Sequence, residues 1–346
     1  MSISAVSWSS LAHLRRAGWR RGHRRTWISR IAPRLAAAAI AEGTEGEWRT
    51  ETVTVTDTLV AVAVVTREVT ARRVVVKMPY TSEGVECLRR QADVLAALHA
   101  DPRLRGWLPE LPRCLGHGEV DGRQYWVEEA LPGTPVTAAV LRRARHGGLL
   151  HAAIRLIGDF HARTSEERLL DHATLEAWVE RPLRRIEAFS ATRPRRQSFL
   201  DALERVRAEL TTALTGRTAR TSWVHGDFWP GNLLASGPVV TGIVDWDRAS
   251  AQQLPLHDLL HLHVLSRRLT NGDELGDVVV RAMRRGISDA IGVSAEQVAS
   301  WLDDIPERPA IILYWLRHVS LFIDSEGHRD NPRWIRGNVE RVLAHI

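Results

Sequence analysis

Val224-His225-Gly226-Asp227-Phe228-Trp229-Pro230-Gly231-Asn232-Leu233-Leu234 is the stretch on which the reading of this chain turns, and Gly242-Ile243-Val244-Asp245-Trp246-Asp247 follows shortly after it. In the first, an Asp is followed five positions later by an Asn across a Pro-Gly bend; in the second, an Asp closes an apolar strand. Mg-assisted phosphoryl transfer asks for such groups. One carboxylate orients the attacking hydroxyl and accepts its proton, and further oxygens hold Mg²⁺ against the phosphates. His-Gly-Asp alone occurs by chance in surface turns, and the bland reading is a hairpin with solvated acids. Order, spacing and apolar flanks together favour the chemical reading.

Upstream of this stretch, Trp48 to Pro79 reads as three strands: Thr52-Val53-Thr54-Val55 alternates, Leu59 to Val65 is β-rich, and Val74-Val75-Val76-Lys77 stops before Pro79. A helix follows, N-capped near Ser82, with Val85, Leu88, Ala92, Leu95 and His99 on one face. Two short strands, Leu115 to Val120 and Gln124 to Glu129, flank a turn at Asp121-Gly122. Beyond Leu131-Pro132-Gly133 the pattern is helical over 154–162, 175–189, 200–214, 257–269, 278–287 and 310–323, interrupted by one β-like island, Trp223 to Val244. The 47 basic residues comprise 46 arginines and a single lysine, Lys77, at the end of the third strand. A flexible ammonium there differs chemically from a planar guanidinium and suits nucleotide phosphates.

These residues resemble the aminoglycoside phosphotransferase and choline-kinase-like family, whose pattern is His-Gly-Asp, a bend, Asn, and later Ile-Asp-Trp/Phe. The resemblance spans roughly Arg49 to Ile346. It implies a two-lobed protein-kinase-like α+β fold, a small antiparallel sheet with one helix and then a mostly helical lobe. Its divisions would be a basic, partly ordered extension at 1–45, a nucleotide-binding lobe at 46–130 and a helical lobe at 131–346. It also implies ATP (or GTP) and Mg²⁺ as cofactors, Asp227 as catalytic base, His225 as a prop for its loop, and Asn232 and Asp245 as metal ligands. Lys77 would meet the phosphates, and Glu128 and Ala130, in a hinge-like Val127-Glu128-Glu129-Ala130, would lie against the purine through their backbone. Asp258 matches the family's bracing Asp, and His161 is read as packing. Protein kinases of the eukaryotic type carry Arg at the Gly226 position, and no Ala-Pro-Glu follows here, so the acceptor is expected to be a small-molecule hydroxyl compound.

The chain departs from the family at the helix after Lys77. Kinases place a Glu there to hold the lysine; Gln91 occupies that position and accepts a hydrogen bond but supplies no charge. Glu86 is out of helical phase, and Thr56-Asp57-Thr58 carries no glycine-rich signature. Gln91 motivates an alternative reading, a non-catalytic kinase-like nucleotide-binding module. His257, His261 and His263 form a rival metal reading, set aside for a helix with partly exposed histidines because no His-Glu-x-x-His accompanies them.

The bulk numbers agree. With 346 residues, 44% hydrophobic and 25% charged, the chain has room for two lobes. Two cysteines make no disulfide framework, and with no secretory signal a cytoplasmic location is expected. No apolar run reaches the roughly 20 residues of a membrane span; Ile311 to Ile323 is broken by Arg317 and His318. Residues 1–41 hold eight arginines and no acid, leaving 39 basic against 41 acidic residues elsewhere. The net +6 therefore belongs to an extension, and no specific nucleic-acid partner is expected. That extension, with Trp8, Trp19 and Trp27, is read as docking on the protein's own surface, with weak contact to anionic surfaces as the other reading.

Overall fold

Alternating apolar residues form β1 (Trp48–Val55), β2 (Val60–Arg67) and β3 (Arg73–Pro79) in a computed structural model that describes residues 25–40, 47–56, 59–143, 147–190, 196–323 and 331–346. Asp57 and Thr58 of the first turn lie outside the described residues, as do Trp8, Trp19 and the rest of the first 24. The chain divides into two compact units, Met1–Leu131 and Pro132–Ile346.

In the first unit, β4 (Cys114–Val120) and β5 (Arg123–Glu129) complete a five-stranded sheet ordered β1-β2-β3-β5-β4. All its pairings are antiparallel. Asp121 and Gly122 both take positive φ, 50° and 69°, the two-residue hairpin geometry that Asp-Gly favours. Side chains along β3 alternate. Val74, Val76 and Met78 are buried with Ile28, Ala32, Leu35 and Ala36 of α1 (residues 25–39), whose spacing makes one apolar stripe. Thr50 Oγ1 donates to the Ser29 carbonyl at 2.9 Å, tying that helix to β1. This part of the basic extension is thus docked on the sheet.

Val75 and Lys77 point to the other face, where Leu88 of α2 (Ser82–Ala100) packs with Val60 and Trp126. Thr81, not Ser82, caps α2, its Oγ1 accepting from the Gly84 amide at 3.1 Å. The buried stripe is Gly84, Cys87, Leu88, Gln91, Leu95 and Leu98, rotated from the expected face, and Gln91 lies inside it.

The second unit is mostly helical: α3 (Ala138–Arg143), α4 (Gly147–Arg163), α5 (His172–Leu175), α6 (Arg181–Ser190), α7 (Arg196–Leu214), α8 (Leu256–Asn271), α9 (Leu275–Arg285), α10 (Ile287–Ile291), α11 (Ala295–Leu302), α12 (Glu307–Phe322), α13 (Pro332–Ile335) and α14 (Arg341–Leu343). Among them run β6 (Thr134–Pro135), β7 (Glu166–Leu169), β8 (Thr218–Val224), β9 (Leu233–Ser236), β10 (Val239–Ile243) and β11 (Ser250–Gln253), in two small sheets ordered β10-β9-β6 and β11-β8-β7. The sequence does not announce β7, because Glu-Glu-Arg-Leu lacks apolar alternation. Residues 310–316 of α12 are buried throughout. No helix among the described residues is long and apolar enough to cross a membrane.

Candidate active site

The first turn of α8 carries Asp258, which is fully buried. A carboxylate in that position is tolerable only when its oxygens are satisfied. Oδ2 accepts the His225 amide at 2.7 Å and Oδ1 the Gly226 amide at 2.8 Å. His161 Nε2, from α4, lies 3.0 Å from Oδ2, so this ring does more than pack. Burial pushes the Asp258 carboxyl up, but the His161 hydrogen bond and the charges of His161 and His225 prevail and hold it down at about 2.

β8 delivers His225 into the interior, where it has no exposed surface. Nδ1 accepts the Asp227 amide at 3.2 Å, which leaves Nε2 to donate to the Val244 carbonyl at 2.9 Å. Trp246 meets His225 edge-on at 4.6 Å and Phe160 at 5.2 Å, and its Nε1 donates to the Ile243 carbonyl. With Trp246 locked in place, Asp245 takes φ 64° and ψ 61°, a left-handed conformation. Such backbone costs on the order of 1 kcal/mol or more for a non-glycine and persists where packing over-determines it. The Val244 amide also donates to the Asn232 carbonyl at 2.9 Å, so Asn232 and Asp245 are set at one end of the β9–β10 hairpin.

Asp227 sits on the loop between these fixtures, its side chain 25% exposed. Asn232 Nδ2 donates to its Oδ2 at 3.1 Å and to its backbone carbonyl at 2.9 Å. His261 Nε2, from α8, approaches Oδ1 at 3.0 Å, and His261 Nδ1 lies 3.2 Å from the Tyr314 hydroxyl. The His318 ring lies tilted against His261, with ring centres 4.8 Å apart. Burial would raise the Asp227 carboxyl; the His261 hydrogen bond and the charges of His261, His225 and His318 hold it at about 2 instead. Asp227 is therefore a carboxylate at any working pH.

His257 and His261 are buried, 5% and 3% exposed, which corrects the expectation of partly exposed rings. Burial and the Arg317 charge hold His257 down at about 3 despite Asp258. His261 is committed to Asp227 and Tyr314. Among the described residues no group of three His, Cys, Asp or Glu side chains is placed to hold a metal. A hard cation would rest on two protein oxygens, completed by phosphates and water as Mg²⁺ prefers. Asn232 would suit that part, since its Nδ2 donates to Asp227 and this leaves its Oδ1 as the ligand atom; Asp245 would supply the carboxylate.

Gly226 has φ +82°, and a Cβ there would stand 2.2 Å from the Arg248 carbonyl oxygen and 2.8 Å from Arg317 Nη2. Arg317, from α12, donates to the Gly226 carbonyl and the Arg248 carbonyl, both at 3.3 Å. The space a side chain at 226 would need is filled by another guanidinium and by backbone. Gly226→Ala should thus lower stability by about 2–4 kcal/mol, from the left-handed conformation plus overpacking. A thermal melt within a degree of wild type would contradict this.

In the first unit Lys77 Nζ pairs with Glu128 Oε2 at 3.0 Å. Gln91 Nε2 donates to Glu128 Oε1 at 2.6 Å. Gln91, expected to meet Lys77, thus donates to Glu128, and the Glu128 side chain, not only its backbone, takes part. The amides of Glu129 and Ala130 donate to the Arg113 and Arg73 carbonyls, so these two N–H groups are committed to the protein itself.

The family model of the Phosphotransferase enzyme family matches residues 60–290, more than half of the chain and every residue named above from Lys77 to His261. The chain belongs to this phosphotransferase family. No curated protein matches it. Among solved structures, the phosphotransferase is similar to a thermostable mutant of aminoglycoside phosphotransferase APH(4)-Ia in ternary complex with AMP-PNP and hygromycin B. The TM-score is 0.55 at 12% identity, covering 91% of this chain and 98% of that one. It is also similar to ADP-bound aminoglycoside phosphotransferase APH(2'')-Ib, with a TM-score of 0.50 at 12% identity, covering 90% and 95%. These likenesses establish the phosphotransferase fold, a protein-kinase-like pairing of a small antiparallel sheet unit with a mostly helical one. Sequence reasoning brought Asp227, His225, Asn232 and Asp245 to one hairpin of the phosphotransferase. It missed His261, Tyr314, His318 and Arg317.

Proposed function

We propose that this phosphotransferase moves the γ-phosphoryl group of ATP (or GTP) to a hydroxyl of a small molecule, an aminoglycoside-like antibiotic, a sugar or an amino alcohol. The observation that carries the reading is the setting of Asp227: an ionised carboxylate, partly exposed, with each oxygen fixed by a donor, His261 on one and Asn232 on the other. An acceptor O–H pointed at this carboxylate gives up its proton as its oxygen bonds to phosphorus, while the bond from phosphorus to the nucleotide's bridging oxygen breaks and the electron pair leaves with the diphosphate. Mg²⁺ at Asn232 and Asp245 would neutralise phosphate charge. Lys77 holds the phosphates, and His225 keeps the Asp227 loop joined to the strand that ends before Asp245. Structures of the same fold hold AMP-PNP and ADP, which supports a nucleotide donor, and a cytoplasmic reaction would follow from ATP as that donor.

The motive for a non-catalytic reading was the missing helix glutamate. Glu128 supplies that acid from a strand, so the motive falls away. For the acceptor, the chain from Ala251 onward holds 13 acids and 11 arginines, a balance that does not favour polycations.

The test is a screen of ADP release and ³¹P spectra with Mg-ATP and Mg-GTP over a panel of aminoglycosides, sugars and amino alcohols. One acceptor should give a stoichiometric phosphomonoester. Binding of neither Mg-nucleotide, with no transfer to any acceptor, would sink the proposal.

A further inference from the structure

The family resemblance places the acid that holds the phosphate-binding lysine on the helix after it. Here the helix position is Gln91, and the acid is Glu128 on β5. We propose that Glu128 is the positioning residue for Lys77, carrying on a neighbouring strand the charge the helix lacks, and that Gln91 positions Glu128 in turn. This rests on the reading of Lys77 as the ammonium that meets nucleotide phosphates.

The strand register makes the pair. Lys77 stands opposite Trp126, and Val75 opposite Glu128. Opposite residues share a sheet face, so Lys77 and Glu128 are diagonal neighbours on the face that α2 covers, within reach of long side chains. Each side chain is only 7% exposed, so the attraction is little screened and a lone charge there would be costly. The two carboxylate oxygens answer to different elements: Oε2 to Lys77 on β3, Oε1 to Gln91 on α2.

Gln91 is the residue type that Glu128 requires. An amide N–H donates to a carboxylate; a second carboxylate at 91 would repel the first unless one were protonated. Gln at 91 and Glu at 128 therefore belong together as one exchange of charge between helix and strand. The consequence concerns α2. The Lys77–Glu128 ion pair joins two strands of the sheet, and Gln91 of α2 holds the second oxygen of the same carboxylate. Strand pairing brings Lys77 and Glu128 together, and α2 bears on the pair through the Gln91 amide. Since an ammonium carries three donors, the bond to Glu128 does not have to break for Lys77 to meet a phosphate.

The experiment measures the dissociation constant of Mg-AMP-PNP by calorimetry on the full chain, for Lys77→Ala, Glu128→Gln and the double exchange Glu128→Gln/Gln91→Glu. Lys77→Ala and Glu128→Gln should each weaken binding by about 10- to 100-fold, the range of a charge-assisted contact. The double exchange returns the acid to the helix and should recover affinity to within about threefold of wild type, a rescue that a merely structural Glu128 would not show. Wild-type affinity in Glu128→Gln, with loss in Lys77→Ala, overturns the role of Glu128 and leaves the Lys77 reading standing. Wild-type affinity in Lys77→Ala removes both. A double exchange no better than Glu128→Gln refutes the coupling to Gln91. Should Glu128→Gln not fold, Glu128→Asp, with the charge one methylene short, carries the same readout.

Discussion

Asp227→Asn should leave the protein folded and able to bind Mg-nucleotide while kcat for transfer falls by about 10²- to 10⁴-fold, the span for loss of a general base. Asn has the shape of Asp and keeps one oxygen to accept from Asn232, so the loop has little reason to move. What is lost is the charge that His261 supports and the ability to take a proton. The wild-type carboxyl is held near 2 by its histidines against the effect of burial, which makes Asp227 a weak base in the ground state. That suits a loose transition state, in which the hydroxyl proton becomes acidic only as its oxygen bonds to phosphorus. The carboxylate's work is then orientation first and proton acceptance late. Steady-state kinetics beside a calorimetric nucleotide titration separates these: kcat should collapse and the nucleotide dissociation constant should stay within about threefold. Wild-type turnover in this variant would remove Asp227 from the mechanism.

The parts of this site that could be read beforehand are those that sit close together in the chain. Asp227, Asn232 and Asp245 lie within one turn and one hairpin, so residue spacing alone places them, and the apolar flanks of β8 and β10 give their direction. Lys77 was legible because it is the single lysine at the end of an apolar strand. The partners were not legible, because each comes from an element whose face is chosen by packing. Glu128 meets Lys77 through a strand register that local pattern does not specify. Gln91 was assigned to the lysine by its match to the family's helix position, which does not show what the side chain meets.

α12 teaches the same lesson more sharply. Arg317 and His318 read in the sequence only as interruptions that disqualify Ile311 to Ile323 as a membrane span. In the folded chain they face the loop that carries Asp227 and its partner His261, Arg317 binding the Gly226 carbonyl and the His318 ring lying tilted against His261. A polar pair in an otherwise buried helix was itself the available signal, since buried charge is costly unless it has partners. Likewise His161 was read as packing and His257 as partly exposed, when what mattered was what each is buried against. His161 gains a carboxylate. His257 is simply kept low by burial.

Asp258→Ala should be the most destabilising change at the site. It removes the acceptor for the His225 and Gly226 amides and for the His161 ring, and these donors lie where water does not reach. Breaking one side of a buried charged network costs about 3–5 kcal/mol, a fall in melting temperature on the order of 10 °C for a unit of this size. The pH dependence gives an independent check. A carboxyl lowered from 3.8 to about 2 by folding contributes stability that is complete above about pH 4 and is lost as pH falls through 2. The difference corresponds to about 2 kcal/mol. Asp227 is shifted in the same direction, so the acid loss in wild type has at least two sources. Thermal melts at pH 7, 4 and 2.5 should therefore show a steep decline in wild type below pH 4 and a shallower one, from a lower start, in Asp258→Ala. Because Asp258 fixes the two amides that precede Asp227, transfer should also fall even where the variant remains folded. Parallel melting curves for the two proteins at all three pH values would show that the carboxylate is not what braces the loop.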